Sequence, residues 1–93
     1  MAYKVEITRR ASRDLGALPP ADRKRVARRI DALAAEPRPP GARKLRGADH
    51  LYRIRAGDYR ILYEVRDQVL VVLVIMIRHR STVYEDLQRL LRS

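Results

Sequence analysis

The sequence predicts an α+β fold: an N-terminal strand, a helical hairpin, then an antiparallel β-meander forming a small four-stranded sheet with a short C-terminal helix. Three observations predict it. Apolar residues alternate over residues 3–7. Two helical apolar stripes follow, divided by Pro19-Pro20 and ended by the proline-rich run at 37–41. Three strand-like segments come next, joined by two tight turns. A chain of 93 residues has room for a single domain, assigned to 1–93.

Tyr3, Val5 and Ile7 alternate with Lys4 and Glu6, so the first strand turns one face inward. Thr8 is placed to cap the following helix, whose Ala11, Leu15 and Leu18 recur at helical spacing; Gly16 weakens its last turn. Pro19-Pro20 ends it, because proline lacks the amide donor. The second helix begins near Pro20 or Ala21 and buries Val26, Ile30, Leu33 and Ala34. Pro37, Pro39, Pro40 and Gly41 stop it and form a rigid connector.

Leu51 to Arg55 opens the meander, with Tyr52 and Ile54 on one face and Arg53 and Arg55 on the other. Ala56-Gly57-Asp58 is the turn, Gly57 supplying φ > 0. Along Tyr59 to Val65, Tyr59, Ile61, Tyr63 and Val65 share one face; Arg60, Leu62 and Glu64 share the other. Arg66-Asp67-Gln68 turns the chain again. Val69 to Ile77 is apolar on both faces, as in a central strand covered on both sides. Arg78, His79 and Arg80 extend it. A capping box from Thr82 to Glu85 starts the terminal helix near Thr82, with Leu87, Leu90 and Leu91 as its apolar face.

The chain carries 21 Lys plus Arg against 11 Asp plus Glu, a formal charge of +10, and all but Lys4, Lys24 and Lys44 are arginine. A 46% hydrophobic content excludes a disordered basic tail. The charge calls for an acidic partner: nucleic acid, an anionic membrane surface or an acidic protein. The absence of Cys excludes a disulfide framework, a cysteine zinc site and a thiol nucleophile. The apolar run Val69 to Ile77 falls short of the about 20 residues a membrane span needs, and the N-terminus lacks a signal-peptide core. A cytoplasmic protein is expected. Gly41, Gly47 and Gly57 match no nucleotide loop, and the acidic residues and His50 and His79 show no metal-ligand spacing. No metal or cofactor is expected.

One constellation remains. Arg53 and Arg55 share a face, Arg60 lies across the turn, Arg80 closes the last strand and Tyr84 opens the helix after it. Four arginines and a tyrosine can converge at one end of the sheet. Arginine's fork of donors matches phosphate bidentately, so the cluster suits an RNA backbone and the charge on a pentacoordinate phosphorus. It also reads as a solvated basic face that holds polyanions without chemistry, and charge and spacing alone favour this blander reading. His79 points away from Arg78 and Arg80 if the strand stays regular. The basic second helix, with Arg23, Lys24, Arg25, Arg28 and Arg29, reads as a solvated face, or as a contact for an acidic segment or ribosomal RNA.

The chain resembles the RelE branch of the RelE/ParE toxin superfamily of bacterial toxin–antitoxin systems. The matching stretches are Tyr-Lys-Val-Glu-Ile-Thr at the start, Ala-Ser-Arg-Asp-Leu-Gly-Ala-Leu-Pro in the first helix and Pro-Arg-Pro-Pro-Gly-Ala-Arg-Lys-Leu-Arg-Gly before the meander. Most specific are Leu-Tyr-Arg-Ile-Arg-Ala-Gly-Asp-Tyr-Arg-Ile-Leu-Tyr-Glu-Val at 51–65 and Ile-Arg-His-Arg-Ser-Thr-Val-Tyr at 77–84. The resemblance implies a ribosome-dependent endoribonuclease that cuts mRNA in the ribosomal A site. There the ribose 2′-oxygen attacks the adjacent phosphorus and the 5′-oxygen leaves, without metal.

Carried over, Arg60 and Arg80 hold the reacting phosphate, Tyr84 orients or stacks on the nucleotide, and Arg53 and Arg55 occupy two basic positions. The best-studied members carry lysine at those two, one a proposed proton acceptor; arginine keeps the charge but does not release a proton. Catalysis is then mainly electrostatic and positional, or another group takes the proton, or the RNase is weak; Tyr84 serves as that group only if nearby arginines lower its pKa, and His79 is the fallback. Arg43, Lys44 and Arg46 join Arg23, Lys24 and Arg28 as the surface for ribosomal RNA. The partner implied is an acidic, RelB-like antitoxin that wraps the toxin, displaces the terminal helix and carries the complex to operator DNA. Two alternatives share the fold: a ParE-like inhibitor of DNA gyrase, and a non-catalytic half of a repressor complex.

Overall fold

The computed structural model describes residues 2–48 and 50–92. In chain order they form β1 (Lys4–Ile7), α1 (Arg9–Gly16), α2 (Pro20–Ala32), β2 (Arg43–Lys44), β3 (Leu51–Ala56), β4 (Tyr59–Arg66), β5 (Val71–His79) and α3 (Val83–Arg92). The strands make one mixed sheet in the order β1-β5-β4-β3-β2. Only the β1–β5 pair is parallel, because the α1–α2 hairpin carries the chain back across one face. The expected four-stranded sheet is corrected to five strands. The added strand, β2, is two residues long, too short to show alternation, and pairs Arg43 with Arg53 and Lys44 with Tyr52. The central position belongs to β4, with β5 beside it.

The helical hairpin covers one face of the sheet. Ala11, Val26, Ile30 and Leu33 pack there on Ile54, Ile61, Tyr63, Val65, Val72, Val74 and Ile77. The other face holds a smaller cluster, in which Val83 and Leu87 of α3 rest on Leu62 and Met76. Turns and ends depart from expectation where sterics or exposure decide. Val69 is 65% exposed and Leu70 takes a left-handed φ of 53°, so both belong to the turn before β5. Leu18 lies beyond the end of α1 yet still packs on the core, while Ile7 stays exposed at the sheet edge. On α3 Val83 and Leu87 are buried and Leu90 is partly buried against them; Leu91 is exposed. The Thr82 hydroxyl donates to the His79 carbonyl (3.4 Å) rather than closing a capping box.

The β4–β5 register shifts by one residue between Leu62 and Tyr63: Leu62 faces Met76, but Tyr63 faces Val74. Ile75 is the extra residue of this bulge. Its backbone is served by α1. The Thr8 hydroxyl caps α1 by accepting from the Ala11 amide (3.1 Å) and donates to the Ile75 carbonyl (2.8 Å). Asp14 accepts from the Ile77 amide (3.0 Å) and from the Arg78 guanidinium, which also donates to Asp86 of α3 (2.9 Å). One arginine thus ties α1, β5 and α3 together.

The opposite end of the sheet is tied by a second polar group. The Tyr63 hydroxyl, fully buried, donates to the Pro37 carbonyl (2.8 Å), and burial pushes its pKa up to about 12. Arg38 lies over the Tyr52 ring, donates to the Tyr52 hydroxyl (2.9 Å) and forks onto Asp67 (2.7 and 3.1 Å). Tyr3 donates to the same carboxylate (2.6 Å). The bonds from Arg38 and then Tyr3 hold the Asp67 carboxyl down to about 2.

Two outcomes follow. Asp14→Ala leaves the Ile77 amide and Arg78 short of an acceptor, and costs about 2 kcal/mol of stability in a urea titration. An unchanged midpoint contradicts the tie. Because Asp67 is depressed, its contribution is fully present above about pH 4 and is lost as pH falls toward 2. The urea midpoints of the wild type and Asp67→Asn therefore differ at pH 6 and converge near pH 2.

Candidate active site

Direct partners on neighbouring strands share a face of the sheet, so the register sorts the basic residues. Arg43, Arg53, Leu62 and Met76 form one row on the face of α3. Arg55, Arg60 and Arg78 form the next. Arg43, Arg53, Arg55 and Arg60, with Gly41, line an open cavity of about 380 Å³. Gly41, at φ 92°, takes a backbone conformation that other residues rarely adopt, and the connector bends there to bring Arg43 alongside. Beside Arg53 at the cavity stands Tyr84, in the first turn of α3 and 56% exposed. Arg53 donates to its hydroxyl and lies 5.7 Å from the ring centre.

Arg60 is the floor. It is only 9% exposed, and its Nη1 donates back to the Gly57 and Tyr59 carbonyls (3.1 and 3.0 Å). No carboxylate pairs with Arg43, Arg53, Arg55 or Arg60 among the described residues. Burial, followed by the charges of Arg55 and Arg53, pushes the Arg60 pKa down from its usual value. Like charges directly opposite on adjacent strands destabilise a sheet, and Arg55 and Arg60 are such a pair. A buried cation without a counter-ion in a ring of cations is an arrangement that an anion relieves.

The other expected residues divide by position. The Arg80 amide donates to the Asp58 carbonyl (2.8 Å), and its side chain lies 3.7 Å from the Asp58 carboxylate, so it stands at the turn beside Arg60 rather than in the cavity lining. His79 pairs with Tyr59 on the helical-hairpin face, edge-on to its ring (5.6 Å), and its Nδ1 accepts from the Ser81 amide (3.1 Å). The sheet therefore separates His79 from the arginine cavity. Arg43, grouped by sequence with Lys44 and Arg46, lines the cavity itself, whereas Lys44 follows Tyr52 to the other face. Arg46 follows β2 and is exposed. Arg23 is turned onto the end of α1, donating to the Leu18 carbonyl (3.1 Å), while Lys24 and Arg28 stay exposed on α2.

Arg78 is the residue that sequence reasoning passed over. Alternation with Arg80 already put it on this face; its row with Arg55 and Arg60 and its two carboxylate partners needed the register. Among the described residues no cluster of His, Cys, Asp or Glu suits a metal ion, and no helix is long and apolar enough to cross a membrane.

Residues 5–84 match the family model for the ParE toxin of type II toxin-antitoxin system, parDE. The chain is 35% identical over 90 residues to the mRNA interferase toxin RelE of Escherichia coli, covering 92% of this chain and 94% of that one. It is 33% identical over 85 residues to the toxin RelG of Mycobacterium tuberculosis, covering 90% and 98%. Among solved structures, the archaeal RelE–RelB complex from Pyrococcus horikoshii matches with a TM-score of 0.76 and 34% identity, over 86% of this chain and 97% of that chain. The mixed sheet, its two-helix face and these similarities lead to one assignment: the chain belongs to the RelE/ParE superfamily of toxins from type II toxin–antitoxin systems.

Proposed function

We propose that this toxin cuts mRNA in the ribosomal A site and that the arginine cavity is where it does so. The observation that carries the reading is Arg60, buried without a counter-ion among Arg43, Arg53 and Arg55, with Tyr84 beside Arg53. A phosphodiester in the cavity supplies the missing negative charge. Tyr84 offers a ring face for the adjoining base, a contact worth about 1–3 kcal/mol in single-strand binding.

In the reaction, the ribose 2′-oxygen bonds to the adjacent phosphorus, the bond to the 5′-oxygen breaks, and a 2′,3′-cyclic phosphate and a 5′-hydroxyl result. The extra charge on the phosphorane falls on oxygens that the guanidinium forks already surround, so little reorganisation is needed. The 2′-hydroxyl proton needs an acceptor. Arg53 and Arg55 do not serve, and His79 is on the far face. The acceptor in this reading is a group brought by the ribosome, since a neutral Tyr84 phenol that accepts from Arg53 is not a base, and the departing 5′-oxygen takes up a proton from water to become the 5′-hydroxyl.

The antitoxin partner follows the same electrostatics. The solved RelE–RelB complexes are structural relatives of this chain, which supports an acidic, RelB-like antitoxin as its partner. The α3 seat is small, with four buried side chains, which suits displacement of that helix and of Tyr84 with it. The ParE family match favours a second reading, inhibition of DNA gyrase on the same fold.

Mapping mRNA 5′ ends on programmed ribosomes decides between them. The wild type cuts within translated codons, and Tyr84→Phe combined with Arg53→Gln lowers the rate by about 10²–10⁴-fold. Intact mRNA accompanied by cleaved DNA–gyrase complexes overturns the RNase reading. Arg60→Met replaces an uncompensated cation with an apolar chain of similar length. It raises stability by about 1 kcal/mol while abolishing cleavage. A destabilised variant contradicts the reading of Arg60 as a strained anion receptor.

A further inference from the structure

We propose that the cavity is one end of a longer RNA track: the strand held over Arg53, Arg55 and Arg60 crosses the open edge of β3 onto α2, where Arg25 and Arg29 bind its next phosphates. This rests on reading the cavity as an RNA site. It assigns to the substrate strand itself a surface on the opposite face of the sheet.

The passage exists because β2 is short. It pairs with Tyr52 and Arg53 only, and its ladder stops before Ile54, Arg55 and Ala56. The edge beyond it is occupied by α2 side chains. Arg29 Nε donates to the Arg55 carbonyl (3.1 Å), so Arg55 sends its own guanidinium to the cavity and its backbone to α2. Arg25 lies against the β3–β4 turn: a Cβ at Gly57 would sit 2.5 Å from its Nη1. The carbonyl of that glycine is the one Arg60 holds from the other side. Cations on both faces therefore meet the same β3–β4 turn.

The α2 surface is also cationic, with the stems of its long side chains forming the cavity walls. Lys24, Arg25, Arg28, Arg29 and Ala21 line an open cavity of about 370 Å³. The single carboxylate paired with this group among the described residues is Asp22, 3.9 Å from Arg25. An amphipathic protein helix needs apolar anchors, and this lining offers none larger than Ala21. Phosphates spaced along a single strand need only forks of donors at intervals. RNA is therefore the occupant favoured over an acidic protein segment.

The test uses the full chain without ribosomes and 2′-O-methyl RNA, which lacks the nucleophile. Affinities for a trinucleotide and for a strand of about nine nucleotides, a length typical of single-strand grooves, are measured across a salt series. The wild type binds the longer strand about tenfold tighter. Arg25→Gln with Arg29→Gln removes that gain and lowers the salt slope by about 1.4, the value for two single-strand phosphate contacts. It leaves trinucleotide binding unchanged, which also shows that the variant is folded. Arg9→Gln with Arg13→Gln, removing equal charge from α1, has no such effect. The track is overturned if the longer strand binds the α2 variant as tightly as the wild type, or if the α1 variant loses as much. It is also overturned if only binding of a poly-glutamate peptide falls. Trinucleotide binding that survives Arg53→Gln with Arg60→Gln refutes the cavity reading instead, so the two failures are distinct.

Discussion

The molecule turns on one extra residue. Ile75 shifts β5 by one position against β4, and everything beyond it changes face. Val72 and Val74 enter the core under the helical hairpin. Unbroken alternation would send Met76 and Arg78 after them and expose Ile77 and His79 to α3. The bulge reverses this. Ile77 completes the core, Met76 becomes the seat of α3, and Arg78 reaches Asp86. Such a shift leaves backbone groups to satisfy, and the first helix satisfies them with Thr8 and Asp14. The position of Tyr84 over Arg53 is thus a consequence of β5 backbone geometry, transmitted through Arg78 and Asp86 to the helix that carries it.

The two ends of the sheet follow opposite electrostatic rules. At the Tyr3 end, charge is neutralised: Asp67 is shared by Arg38 and Tyr3, and Tyr63 holds the connector at Pro37. At the other end, charge is left uncompensated, with four arginines and no carboxylate in the lining. The first arrangement supports the second, because the connector anchored at Pro37 and Arg38 runs on to Gly41 and Arg43 at the cavity. The stabilising contacts and the strained ones lie on one continuous stretch of chain. A buried cation without a counter-ion in the cavity floor costs stability, and the cost is borne where the rest of the sheet can sustain it.

Much of this was legible in the sequence, for physical reasons. Alternation in Tyr59 to Val65 is strict, since one face meets a thick core and the other a thin one, so Arg60 could be placed with Leu62. The double proline at 19–20 and the cap at Thr8 set helix ends through local chemistry. What was not legible lacks a local signal. β2 is held by pairing, not by its own pattern, so Arg43 read as surface when it lines the cavity. The bulge fell inside Val69 to Ile77, where both faces are apolar and a change of register alters nothing in the pattern. The roles of Asp14 and Asp86 depend on it and were hidden with it. His79 was read correctly as pointing away from Arg78, but only the register shows that the sheet lies between it and the cavity.

The choice of arginine over lysine completes the account. Lysine at positions 53 and 55 would bring a group whose proton can be lost when like charges crowd it, and crowding here is severe. Arginine holds its charge through such crowding: burial, then Arg55 and Arg53, push the Arg60 pKa down, but a guanidinium does not give up its proton in a protein. The cavity's positive field is therefore constant across the physiological range. Its forks are planar and fixed, and one of them is committed to the Tyr84 hydroxyl. In the proposed cleavage, a site so built would hold and polarise a phosphate without taking a proton through its arginines. Any pH dependence of the proposed cleavage therefore lies outside the cations that make the site.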